Sequence, residues 1–191
     1  GRAPRLDFAI LPGVQWPGTR LTHFHANDAI LNRADLSEAS LRTVYLDRAQ
    51  LSQARLHGAR LHDLSAIEAR FEGADLSFVR TRDADFTEAN LCGANLEGAL
   101  LRQAQFMRAD LSQARMCRAD LLRSNLSGAN VEGTDFTGAN LSGCYLRGLQ
   151  LCMATLTGAI LQLAILDDCD LEGIQLPGAA MKSASLIAAN L

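Results

Sequence analysis

The sequence predicts an all-β solenoid, a four-sided parallel coil made of very short strands. Three observations predict it. Apolar residues recur every five positions, from Leu21 and Leu31 through Leu91, Leu96 and Phe106 to Leu191, broken after Leu21 only at Ala26, Ala66 and Thr81. A small residue, Ala at about two-thirds of sites, stands two places before most of them, with Ser124, Thr134, Cys144 and Cys169 as near-isosteres. Pro-Gly pairs in Leu11-Pro12-Gly13-Val14, Trp16-Pro17-Gly18-Thr19 and Leu176-Pro177-Gly178-Ala179 all occupy the same two phases of that beat. A fixed internal period takes precedence over local propensity.

Neither a helix nor a long strand uses such a beat. On a helix, a step of five precesses by about 140°, so the apolar residues would wrap the whole circumference. On a long strand an odd step alternates faces. A five-residue unit such as Ala94-Asn95-Leu96-Glu97-Gly98 reads instead as a three-residue strand, in-out-in, followed by a two-residue corner. Pro-Gly at the centre of a corner is the signature of a type II turn, whose third residue needs φ > 0. Four such units close a square. Stacked squares let each strand pair with its copy about 20 residues later at about 4.8 Å, which predicts roughly nine coils and a rod about 45 Å long. Leu and the small residue fill the lumen alternately. This suits a chain that is 48% hydrophobic yet only 5% aromatic.

Residues 1–20 are expected to form the capped first coil, with Trp16 closing its opening, and residues 21–191 the repeat proper, together one domain. Phe86 and Phe106, one coil apart, should stack inside. The sequence begins at Gly1 and stops at Leu191 partway through a unit; the expectation is a portion of a larger protein.

The units ADLSE at 34, ANLCG at 89, ANLEG at 94, ADLSQ at 109 and ANLSG at 139 resemble the pentapeptide repeat family, whose consensus is A(D/N)LXX, and the resemblance runs along nearly the whole chain. It implies a right-handed quadrilateral parallel β-helix. Phe24-His25-Ala26, Leu64-Ser65-Ala66 and Val79-Arg80-Thr81 depart from the pattern and leave the local corner geometry open.

A 20-residue coil makes the exterior legible as columns. Asp35, Arg55, Asp75, Asn95, Arg115 and Asp135 form one, and Asp28, Arg48, Glu68, Glu88 and Arg108 another. Their alternating charges read as cross-strand pairs that aid solubility and register. A third column does not alternate. Arg60 lies below Arg80, Arg82 below Arg102, and His62 below Arg82, with Arg42 and Arg123 extending the patch. Asp63 and Asp83 are candidates to neutralise it; the other reading is a site for an acidic partner. The C-terminal third carries Asp167, Asp168, Asp170 and Glu172 beside outward-phase Ile160, Leu163 and Ile165. That end reads as abutting another domain or a second copy, because a last coil leaves strand edges unpaired.

Catalysis is not expected. No nucleophile motif, phosphate-binding loop or zinc spacing occurs, His23 and His25 are too few to predict a metal, and flat convex sides lack a pocket. No cofactor is predicted. Cys92 and Cys152 share a column but lie about 14 Å apart by coil spacing, beyond disulfide reach, which points to a reducing, cytoplasmic setting, with export as part of an effector left open. No run approaches the ~18 apolar residues of a membrane span. No basic stretch followed by an apolar one opens the sequence. Net charge is −3, so direct nucleic-acid binding is not expected.

The leading expectation is a non-catalytic scaffold that binds a protein partner or adjoining domain, with a homodimer through the last coil as a further possibility. The resemblance implies such modules in bacterial adaptors and secreted effectors. It also implies an alternative, mimicry of DNA toward gyrase and related topoisomerases, which needs an extended negative surface.

Overall fold

The computed structural model describes residues 5–191, and among these there is no helix. The polypeptide winds as a parallel β-helix in which partners are 20 residues apart, from Arg5↔His25 to Asp170↔Asn190. Most walls are single bridged residues between corners. Four longer strands stand on one side: β1 Arg20–His25, β2 Ser40–Tyr45, β3 Arg60–Ser65 and β4 Arg80–Arg82, in the order β1-β2-β3-β4.

One unit shows why the repeat folds this way. The Asn95 amide donates to the Ala74 carbonyl one coil back (2.9 Å), and those of Leu96 and Gly98 donate to Arg115 and Cys117 one coil on (2.7 and 2.9 Å). The Ala99 amide closes the corner on Leu96 (3.1 Å). The remaining amide, Glu97, donates to the Asn95 side-chain oxygen (3.2 Å). Every N–H of residues 95–99 is thus satisfied, as a buried or half-buried backbone requires. The same carboxylate- or amide-to-backbone contact recurs at Asp75, Asp85, Asn90, Asp110, Asn125, Asp135 and Asn140. The Asp/Asn position is therefore first a cap for the corner amide and only second a surface charge.

Corners place their second residue at positive φ, and Arg, Glu, Gln and Asp occupy it as well as Gly, for example Arg33 (60°), Glu88 (58°) and Gln103 (59°). Non-Gly residues seldom adopt this region, so the stacked lumen imposes the corner on whichever residue falls there. At Gly98 a Cβ would lie 2.6 Å from the exposed Phe78 ring, which would have to turn aside.

The lumen is a continuous apolar column. The inward-facing Leu, Phe and Ala from Phe24 to Leu171 are buried, Ala154 only partly. Phe86 and Phe106 stack with centroids 5.1 Å apart and planes 3° from parallel. Polar stand-ins for Ala are satisfied internally: Ser124 and Thr134 hydroxyls donate to the Leu101 and Leu111 carbonyls (2.8 Å each). At the first coil Trp16 is partly buried and sits edge-on to Phe24, 6.3 Å between centroids.

The three departures from the repeat are resolved as exchanges of volume. Phe24 and Leu64 are large where Ala is usual, and Ala26 and Ala66 are small where Leu is usual, and all four are buried. After Val79 the next inward position holds Thr81, which is half-exposed. These bulky residues, with Val44, coincide with the corner that β1, β2 and β3 pass through as continuous six-residue strands. Residues 22, 42, 62 and 82 thereby join the ladder (Thr22↔Arg42, Arg42↔His62, His62↔Arg82).

Two further positions carry a bulky residue without the exchange. Leu149 precedes Leu151, and Ile174 precedes Leu176. Among the described residues the 20-residue ladder lacks its bridge at just these points, between 130 and 150 and between 155 and 175. Neighbouring Met153 is, among the described residues, the one corner residue of its phase without positive φ, and it is exposed. An extra side chain in a slot sized for Ala forces adjacent coils apart.

Candidate interaction surface

The outer columns divide the arginines into two groups. One group is paired along the rod: Arg48 with Asp28 (2.7 Å), Arg55 with Asp35 (3.5 Å), Arg108 with Glu88, Arg115 with Glu97 (3.3 Å) and Arg147 with Asp168 (2.8 Å). Arg70 takes Glu72 (2.8 Å). The Asp28 carboxyl is held below its ordinary range by its hydrogen bond from Arg48. Exposed pairs of this kind contribute little each, roughly 0.2–1 kcal/mol.

The second group lies on β1–β4. Arg20, Arg60 and Arg80 share the row Arg20↔Ser40↔Arg60↔Arg80, and Arg42, His62 and Arg82 share the next. All six are exposed. None has a carboxylate within ion-pair distance among the described residues. The sequence reading offered Asp63 and Asp83 as neutralising partners; neither pairs with any arginine. Arg102, by contrast, is claimed by Asp120 at 2.6 Å. Arg123 is exposed at the distal end, beside Arg82 and Arg102. The structure thus brings Arg42, Arg60, His62, Arg80 and Arg82 together and ties Arg102 to an internal acid.

Local chemistry permits this arrangement. Elsewhere an Asp or Asn at this phase caps the amide two places on, although Arg55, Arg70 and Arg115 also occupy it. On β1–β4 that later residue is already in the ladder, so the capping phase is free to hold Arg20, Ser40, Arg60 and Arg80. Open depressions run along the corner. One of about 770 Å³ is lined by Arg20, Thr22, Glu38, Ser40, Arg42 and Arg60. The next, about 530 Å³, is lined by Arg42, His62, Asp63, Arg80, Thr81 and Arg82. Sequence reasoning missed Arg20, although a step of 40 back from Arg60 reaches it.

The C-terminal surface is more internally committed than its composition suggests. Asp167 accepts from the Ser185 hydroxyl (2.5 Å) and the Ile187 amide (3.1 Å). Asp168 holds Arg147. Asp170 accepts from the Glu172 amide (3.1 Å) and from Asn190 (2.9 Å), and the former, with the latter, holds its carboxyl below the ordinary range. Glu172 is exposed. Ile160 is 38% and Leu163 67% exposed, while Ile165 is half-buried.

The cysteines are free thiols. Burial pushes Cys144 up to about 12. Burial, with the Asp135 carboxylate at 2.9 Å, pushes Cys117 up to about 11. No cluster of His, Cys, Asp and Glu that could hold a metal occurs among the described residues. No helix among them is long and apolar enough to cross a membrane.

No curated protein matches the chain by sequence. Among solved structures, it is similar to HetL, a pentapeptide repeat protein involved in heterocyst differentiation regulation from the cyanobacterium Nostoc sp. strain PCC 7120. The identity is 30%, 97% of this chain and 90% of that one are covered, and the TM-score is 0.55. QnrB1, a plasmid-mediated fluoroquinolone resistance protein, shares the fold at 18% identity, over 90% and 91% of the two chains, with a TM-score of 0.64. The model of pentapeptide repeats matches in eight copies over residues 18–58, 45–80, 84–123 and 124–162. The period, the capped corners and these matches agree: the chain belongs to the pentapeptide repeat family.

Proposed function

We propose that the protein is a non-catalytic scaffold that binds a protein partner through one side of its rod, in a reducing compartment. The observation that carries this reading is the division of the arginines. On the β1–β4 corner Arg20, Arg42, Arg60, Arg80 and Arg82 stand together without a carboxylate partner among the described residues, whereas on the other columns arginines such as Arg48, Arg55, Arg108 and Arg147 each have one. A regulatory role, such as HetL's name describes, is compatible with a module that acts by binding. The free thiols fit a reducing setting.

DNA mimicry toward a topoisomerase is less well supported. It requires a long, unbroken negative surface, and here Arg48, Arg55, Arg108 and Arg147 pair with acids on the outer columns and a positive corner interrupts the rod. Photo-crosslinking residues placed on each of the four sides test the scaffold reading. It expects a defined partner captured from one side in native extract; capture from no side, or equally from all, contradicts it. In a gyrase supercoiling assay the expected result is no inhibition at micromolar protein, and inhibition would favour mimicry.

A further inference from the structure

We infer that the corner formed by β1–β4, centred over Thr81, is a docking site for an acidic segment of a protein partner, whose carboxylates supply the ion pairs that Arg60, Arg80, Arg82 and Arg42 lack. This inference rests on the scaffold reading and names the chemistry of its partner.

Four observations carry it. Arg60 and Arg80 are in register on adjacent strands, at a spacing of about 4.8 Å where like charges repel. The nearest acids in sequence, Asp63 and Asp83, do not relieve that repulsion. The wall also dips between Arg80 and Arg82. Thr81 stands where Leu61 and Leu101 stand in the coils on either side; those two are buried, whereas Thr81 is half-exposed and lines the depression on both sides. Its buried Oγ1 has no hydrogen-bond partner. Finally, the exchanges Phe24/Ala26 and Leu64/Ala66 sit directly beneath the strands that hold the two basic rows in one ladder. Sequence departures and unpaired charges thus coincide on one corner.

The chemistry favours a short acidic peptide over a long polyanion. Glu38 and Asp63 line the depressions and confine the positive surface to one corner, which matches a short segment better than an extended phosphodiester backbone. No Phe, Tyr or Trp lines the two depressions over β2–β4 to stack a base, which single-strand binding uses.

Fluorescence anisotropy with a labelled peptide of ten glutamates tests the inference on the intact chain. Saturable, salt-sensitive binding is expected. The triple variant R60E/R80E/R82E should weaken it by about tenfold or more, with an unchanged circular dichroism spectrum. The variant R33E/R48E/R55E changes net charge equally on other columns and should leave affinity within about threefold. Equal weakening by both variants would show a net-charge effect and overturn the site. So would absence of peptide binding, or tighter binding of a ten-residue oligothymidylate. Failure here leaves the scaffold reading standing, because crosslinking interrogates all four sides regardless of charge.

Discussion

At the scale of single residues, the decisive chemistry is the cap on each corner amide. The consensus Asp/Asn was visible in the sequence, but reading its column as a charge ladder missed its main partner, the residue's own backbone two places on. Such side chains favour that local contact in turns. Asn95 also donates to Asp75 at 3.2 Å, so it ties two coils together. Asn95→Ala should destabilise the protein by about 1–2 kcal/mol in urea unfolding, through loss of two half-buried hydrogen bonds. Asn95→Asp, which still accepts from the Glu97 amide, should cost less. Acid sensitivity follows from the same contacts. Asp28, with Arg48, and Asp170, with the Glu172 amide, are held below their ordinary value; for Glu72 burial opposes, but the Ser52 hydroxyl and Arg70 prevail and its carboxyl is also lowered. A carboxyl whose folded value is depressed stabilises the fold above its unfolded value and loses that contribution as pH falls through the folded one. The thermal midpoint should therefore be flat from pH 7 to about 4.5 and fall below about pH 4; a fall beginning near pH 6 would point to other groups.

At the scale of elements, size at the inward positions decides whether a unit is wall, corner or fault. The sequence flagged Phe24, Leu64 and Val79 as irregular, yet their consequence was not legible. It depends on Ala26, Ala66 and Thr81 taking up the volume, and on all of them facing one corner. Leu149 and Ile174 escaped notice because the Leu beat continues through them at Leu151 and Leu176. Leu149 lacks a compensating small neighbour, and the bridge beside it is lost. Its truncation should therefore be unusually mild. Leu149→Ala should cost less than about 1 kcal/mol, whereas Leu101→Ala, in a regular coil, should cost about 3 kcal/mol. Urea titration of both variants decides; equal costs would mean that Leu149 is not overpacked. Amide exchange should also be faster at Gln150 than at Leu151, whose amide donates to Asp170 at 2.8 Å.

At the scale of the whole molecule, one period sets both the fold and the surface. A 20-residue step makes neighbours of residues that share a column, so the core repeats and the exterior becomes a set of charge rows. The fold was legible because every coil states the same rule. The site was legible only in part: its residues could be grouped by column, but which arginines pair internally depends on side-chain reach, as Arg102 and Asp120 show. The 20-residue step is the claim on which the rest depends, and a nuclear Overhauser spectrum of the labelled chain tests it most directly. Cross-peaks are expected between the rings of Phe86 and Phe106 and between the amides of paired residues such as Leu41 and Leu61. Cross-peaks at another constant separation, or none between residues 20 apart, would contradict the coil and dissolve the arginine corner with it.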